Sequence, residues 1–292
     1  MRLFDLAELV RLPAALTVPG DTLAGAASAR WPLGRRTAAL PVASVCLYWA
    51  GMALNDYADR NLDSVERPER PIPSGRVTPR QALAVAGGLT AAGLAISVAA
   101  GGRRALRVAA PLAATVWAYD LALKRTRFGP AAMAAARGLD VLLGAGGSRS
   151  AGLPAAAVAG HTAGVTALSR GEVHGTSRAV AAAAVGATAA AAALAALPRD
   201  HEGFAARSGT EPFVLTGAVL AGTYAVTVGR AQAAAVGRPD AATVREATGA
   251  GIRGLIPLQA ALTARAGAVG LAGALLAAGP VAKLASRVVS PT

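Results

Sequence analysis

Apolar runs of nearly twenty residues recur along the whole chain, and most charged residues sit in the short connections between them. A soluble domain carries roughly a quarter charged residues. Here only 15% are charged and 54% are hydrophobic, with a mean hydropathy of +0.45. The deficit is spread over the chain, so a soluble enzyme with one anchor does not account for it. Nine stretches, 10–28, 37–54, 81–101, 106–123, 130–148, 153–169, 178–197, 212–230 and 255–279, approach the ~20 residues that cross a bilayer core. In hydrocarbon the backbone finds no water to bond, which makes helices the expected element. The abundant alanines and glycines let such helices pack closely. The expected fold is an all-α, polytopic membrane bundle of about nine transmembrane helices, forming one domain over residues 1–292.

The formal net charge is +13, from 29 Lys and Arg against 16 Asp and Glu. The basic residues occupy short loops and form no block that lies along a duplex, so a nucleic-acid partner is not expected. Membrane topology and anionic ligands explain the excess better. One cysteine, Cys46, excludes an internal disulfide and a thiolate metal site, and its apolar surroundings read as packing. The segment from Met1 to Leu16 carries Asp5, Glu8 and Arg11 and so lacks the uninterrupted apolar core of a cleaved leader. The alanine- and arginine-rich usage resembles a GC-rich bacterial coding bias. The expected location is therefore the bacterial inner membrane, crossed many times. A weak excess of Lys and Arg puts the connection 55–80 on the cytoplasmic side. A second long connection, 231–253, reads as polar and amphipathic.

The chemistry is concentrated at the end of the second apolar stretch. Asp56, Asp59 and Asp63 fall at i, i+3 and i+7, on one helical face, and Asn55 lies four residues before Asp59. Carboxylates aligned in this way repel one another unless a cation neutralises them. Magnesium takes hard oxygen ligands and shares its sphere with substrate phosphates, so the stripe is suited to hold Mg²⁺ against a diphosphate. The alternative is a solvated helix end paired with Arg60, Arg67 and Arg70. The run Arg67-Pro68-Glu69-Arg70-Pro71-Ile72-Pro73-Ser74-Gly75-Arg76 follows. Its prolines stiffen the backbone, and Arg67, Arg70 and Arg76 are able to fork onto phosphate oxygens.

The acidic stripe and the arginine-proline run together resemble the first aspartate-rich motif and loop of the UbiA prenyltransferases. Residues 11–21 are similar to that family's first helix, and the nine-span layout agrees. The resemblance implies a helical bundle around a central cavity. It also implies an Mg²⁺-dependent intramembrane prenyltransferase, with Asp56, Asp59 and Asp63 as metal ligands and catalytic groups. Arg11 and Asp21 are costly against lipid and are expected to face a cavity or each other. Tyr119 to Arg125 is similar to the family's tyrosine-to-lysine segment, which implies that Tyr119, Lys124 and Arg125 contact the diphosphate, with Lys124 catalytic. A topology signal or snorkelling side chains would produce the same pair of cations. Arg137 and Asp140, three residues apart inside a span, either satisfy each other or line the pocket.

The family's second acidic motif is reduced here. In the stretch 161–175 the one carboxylate is Glu172, which the resemblance makes a ligand of a second metal ion, and Arg170 stands where an aspartate is expected. Arg170 is assigned to phosphate. His161 and His174 read as packing or helix-end residues, with His174 beside Glu172 a lesser candidate for a base. His201, in a loop with Arg199, Asp200 and Glu202, reads as solvated surface. The run Ser169-Arg170-Gly171-Glu172-Val173 is similar to the EboC-type branch of the family.

The function expected is transfer of an isoprenoid chain from a prenyl diphosphate to a small acceptor. That acceptor is aromatic, or polar and non-aromatic such as a cyclitol or sugar. A prenyl-lipid binding or transport protein that has lost turnover is the competing expectation.

Overall fold

The computed structural model describes residues 2–12, 18–30, 35–197 and 211–285. Within them are helices α1 (Leu3–Leu9), α2 (Pro19–Ser28), α3 (Arg35–Glu66), α4 (Pro79–Ala118), α5 (Gly129–Gly144) and α6 (Gly152–Ser169). They continue with α7 (Arg178–Ala196), α8 (Glu211–Gly237), α9 (Ala241–Arg265) and α10 (Val269–Ala285). Among the described residues there is no strand. Among the described residues four segments are long and apolar enough to cross a membrane: Ala38–Glu66, Pro79–Leu123, Arg178–Ala196 and Phe213–Gly237.

The third predicted span and most of the fourth lie in α4, which doubles back on itself. At Gly102 the backbone takes φ 62° and ψ −151°, a region open essentially to glycine alone. The two arms then run side by side. Trp117 Nε1 donates to Thr90 Oγ1 at 3.1 Å, whereas a straight helix would hold residues 27 apart about 40 Å from each other. Two boundaries depart from expectation. The predicted polar connection 231–253 is mostly helical, divided between α8 and α9 by a short turn before Asp240. Asp240 caps α9, accepting from the Thr243 and Ala242 backbone N–H groups at 3.0 Å, and these bonds, Thr243's first, hold its carboxyl below the usual range. The predicted ninth span, 255–279, is broken where Gly267 turns at φ +91° between α9 and α10. Hydropathy averages over such a break because both sides are apolar. His201 and its charged loop, and residues 13–17, lie outside the described residues.

Small residues set the helix spacing near the site. A Cβ on Gly144 would lie 1.9 Å from the Thr22 carbonyl oxygen, and one on Gly25 would lie 1.9 Å from that of Val141. Helices α2 and α5 therefore touch backbone to backbone. A Gly144→Ala variant is expected to lose about 1–3 kcal/mol or more, because the obstacle is backbone that cannot rotate aside. Thermal melting in detergent checks this; an unchanged melting temperature would contradict so close an approach.

Candidate active site

The last turns of α3 carry the acidic stripe into a shell of cations. Asp56 and Asp63 are buried, and both oxygens nearest the loop converge on Arg70, whose Nη1 lies 3.4 Å from Asp56 Oδ1 and 2.9 Å from Asp63 Oδ2. Asp56 also meets Arg11 Nη2 at 3.2 Å. Arg11 sits at φ +50°, an unusual backbone state for a non-glycine residue, just after α1. Asp59 is held by Lys124 Nζ at 2.7 Å and by Arg125 Nη2 at 2.8 Å, and the same Nζ donates to Asn55 Oδ1 at 3.0 Å. The pairing with Arg70 realises part of the solvated-end alternative. Arg60 does not join it, since it stacks on Tyr57 and donates to that residue's carbonyl.

The arginine-proline loop is rigid because its apolar members are buried. Ile72 and Val77 pack with Leu9, Ala53, Leu54, Ala82 and Ala86. Gly75, at φ +75°, allows the turn in which its N–H reaches the Ile72 carbonyl and that of Val77 reaches Pro71. A capping box between Thr78 and Gln81, followed by Pro79, then starts α4. The three loop arginines part company here. Arg70 turns inward to the stripe, and Arg67 is exposed with no side-chain partner among the described residues. Arg76, expected at the substrate, instead clamps α1: it bonds both Glu8 oxygens, at 2.6 and 3.0 Å, and Asp5 at 3.2 Å. The Arg2 N–H, aided by Arg76, keeps the Asp5 carboxyl below its usual range. The Asp5 arm of the clamp is thus complete at neutral pH and is lost as pH falls through that lowered value.

Tyr119–Leu123 form a π-turn, closed by the Lys124 N–H on the Tyr119 carbonyl at 2.9 Å. The wider turn inserts a residue into the helical register, as such turns do at functional sites. It aims Lys124 and Arg125 at Asp59 and turns Asp120 inward. Arg170, from the end of α6, donates to the Thr126 carbonyl and so joins this corner. Glu172 follows in the next turn. Its carbonyl accepts from Arg245 at 2.7 Å, while its carboxylate has no partner among the described residues. His174 is exposed and bonds nothing there, whereas His161 is a buried packing residue between Tyr224 and the Gly251 carbonyl, at 2.7 and 3.1 Å.

Beneath the stripe lies a cavity of about 320 Å³, with Asn55, Tyr119 and Arg11 at one end and Ser44, Arg137 and Asp140 at the other. Arg137 and Asp140 do not satisfy each other. Arg137 Nε lies 2.9 Å from Asp21 Oδ2 as an ion pair, and Gln259 Nε2 donates to Asp21 Oδ1 at 2.7 Å. Asp140 accepts from Ser44 Oγ at 2.7 Å. Arg11 and Asp21 are likewise partnered elsewhere and not with each other. Sequence reading missed Asp120 and Ser44, since an aspartate or serine in an apolar run carries no signal of which way it points.

Among the described residues no three His, Cys, Asp or Glu side chains form a metal cage. Oxygens nevertheless converge in pairs, each around one positive nitrogen: Asn55 and Asp59 about Lys124, and Asp56 and Asp63 about Arg70. Magnesium is usually held by one or two carboxylates with substrate phosphates completing its sphere. This donor set fits that mode, with a diphosphate supplying the remaining oxygens.

The sequence profile of the UbiA prenyltransferase family matches residues 14–168, just over half of the chain. The digeranylgeranylglyceryl phosphate synthase of Methanopyrus kandleri is 40% identical over 109 residues, 37% of this chain and 38% of that protein. The chain thus spans well under half the length of this relative. Solved structures share the fold. A digeranylgeranylglyceryl phosphate synthase superimposes with a TM-score of 0.68 at 17% identity, over 90% of this chain and 97% of its own. A UbiA homolog from Archaeoglobus fulgidus, bound to GPP and Mg2+, gives 0.62 at 16% identity, over 91% and 99%.

Proposed function

This chain belongs to the UbiA prenyltransferase family, and we propose that it is a magnesium-dependent membrane enzyme that moves an isoprenoid group from a prenyl diphosphate to a small acceptor. One observation carries the reading. Four cations, Arg11, Arg70, Lys124 and Arg125, converge on three carboxylates at the mouth of a largely apolar cavity. Stability alone gives no reason to assemble seven charges there, because each buried ion loses hydration.

In this reading Asp56, Asp59 and Asp63 hold magnesium, with Asn55 beside them. Glu172 serves a second ion where one binds. Lys124, Arg125, Arg67, Arg170 and the Tyr119 hydroxyl face the diphosphate. Arg70 sets the positions of Asp56 and Asp63, and Arg76 holds α1 over the site. Magnesium, when bound, neutralises diphosphate oxygens and so favours departure of that group. As the allylic carbon–oxygen bond breaks, charge grows on the leaving oxygens, and the fixed cations stabilise it without having to reorganise. The apolar wall of Leu47, Leu112, Val116 and Met133 keeps water from the allylic carbon. The GPP and Mg2+ bound by the Archaeoglobus homolog support the donor and the metal. We place the site at the cytoplasmic face of a bacterial inner membrane, following the excess of Lys and Arg on that side.

The test is release of diphosphate from geranyl diphosphate by the purified protein. Chelation of divalent metal is expected to abolish release and added Mg²⁺ to restore it. Release that persists undiminished in the chelator would overturn the proposal.

A further inference from the structure

The cavity below the diphosphate end carries charge at two levels. Its arginines are committed, Arg11 to Asp56 and Arg137 to Asp21. Its carboxylates are not. Asp120 is only 6% exposed and has neither a hydrogen bond nor an ion pair among the described residues. Asp140, also 6% exposed, accepts from Ser44 through Oδ2, while its Oδ1 is buried with no partner. Lys124, nearest to Asp120 in the chain among the cations, spends its bonds on Asn55 and Asp59.

A buried carboxylate without donors is costly, and such groups in native proteins ask for an explanation. Neither Asp120 nor Asp140 Oδ1 draws a donor from the lining of this cavity among the described residues, so the donors that satisfy them have to arrive with its occupant. The isoprenoid chain carries none, and the diphosphate offers only negatively charged acceptors. That leaves the co-substrate. A carboxylate or phosphate on it would meet Asp120 and Asp140 as like charges, whereas hydroxyl groups would satisfy both. The volume, about 320 Å³, lies at the small end of ligand sites (roughly 300–1,000 Å³) and suits a compact head group.

Resting on the prenyl-transfer reading above, we infer that the acceptor is a neutral alcohol with at least two hydroxyl groups. One hydroxyl donates to Asp140 beside Ser44, and the other stands at Asp120 beneath the diphosphate. That second oxygen attacks the allylic carbon. The carbon–oxygen bond to the diphosphate breaks and its electron pair leaves with the diphosphate. The hydroxyl proton passes to the Asp120 carboxylate, and the product is an ether. The phosphate in the name of the Methanopyrus relative is the kind of group that this cavity disfavours.

The test is a competition between matched probes, 1-O-octylglycerol and its 3-phosphate, with geranyl diphosphate and Mg²⁺. Ether formation by the wild-type protein is expected to favour the neutral alcohol by about tenfold or more in kcat/KM, since like charges in one pocket are strongly repelled. Asp140→Asn should bring the ratio toward one while leaving geranyl diphosphate affinity unchanged. Should that variant fail to fold, the wild-type ratio decides alone. Preference for the phosphate overturns the inference. So does prenylation of neither probe by protein that still binds geranyl diphosphate with Mg²⁺. Absence of that binding would instead overturn the prenyl-transfer reading, and this inference with it.

Discussion

An Arg70→Ala variant is expected to lose about 3–5 kcal/mol of stability, the usual result when one partner of a buried ion pair is removed. Arg70 is 5% exposed and, among the described residues, is the one cation that touches both Asp56 and Asp63. Without it, Asp63 keeps no ion-pair partner among the described residues and Asp56 keeps Arg11 alone. The carbonyl of residue 70 also accepts the Ser74 hydroxyl and N–H, so the loop turn stays intact and the loss reports the side chain. Thermal unfolding in detergent measures the effect. Mg²⁺ should stabilise this variant more than the wild type, because the released carboxylates become free ligands. Arg70→Lys keeps the charge but not the fork, and should fall between the two. A variant that melts like the wild type, with no added response to Mg²⁺, would contradict the role assigned to this residue.

Asp59→Ala is expected to separate activity from stability in the opposite sense. Asp59 is partly exposed and its pair with Arg125 is largely solvated, so that pair contributes little to folding, while the more buried Lys124 keeps Asn55 as an acceptor once Asp59 is gone. Under the proposed function its removal takes away a magnesium ligand, and it frees Lys124 and Arg125 from the positions they hold beside it. Diphosphate release from geranyl diphosphate should fall about 10²–10³-fold, the range found when one preorganised electrostatic contact to a transition state is lost. The fall should appear in kcat more than in KM, since the charge that these cations stabilise grows mainly as the bond breaks. Turnover within a few-fold of the wild type would remove the acidic stripe from the catalytic machinery. A matching collapse of stability would show that Asp59 serves the fold instead.

The acidic stripe was legible in the chain because helical periodicity is local: four residues within nine positions share a face whatever surrounds them. The arginine-proline loop was legible for a similar reason, as prolines restrict the backbone wherever they stand. Arg76 shows the limit of that reasoning. Its place in the loop pointed to phosphate, yet α1 packs across the loop and offers Glu8 and Asp5 at shorter range. The break at Gly267 and the helices within 231–253 were hidden because average hydropathy does not register a turn between two apolar helices or an amphipathic helix under a polar average. The inward turn of Asp120 was hidden by the π-turn, since one inserted residue rotates everything after it out of the ordinary helical register.

Sequence alone determined that this chain spans a membrane with helices, and that it carries an acidic stripe, a basic loop and a distant lysine suited to a metal-bound diphosphate. The spans, the stripe and the loop follow from composition, periodicity and spacing, all of which act over a few turns of helix, whereas the lysine's part is what the resemblance to the family implies. The tertiary structure decided the pairings: Lys124 with Asp59 across 65 positions, Asp21 with Arg137 and Gln259, and Asp140 with Ser44. It also decided which two carboxylates were left facing the cavity without a donor. A charge in a low-dielectric interior is governed by whichever groups lie within a few ångströms, and only the packing of the helices brings those groups there.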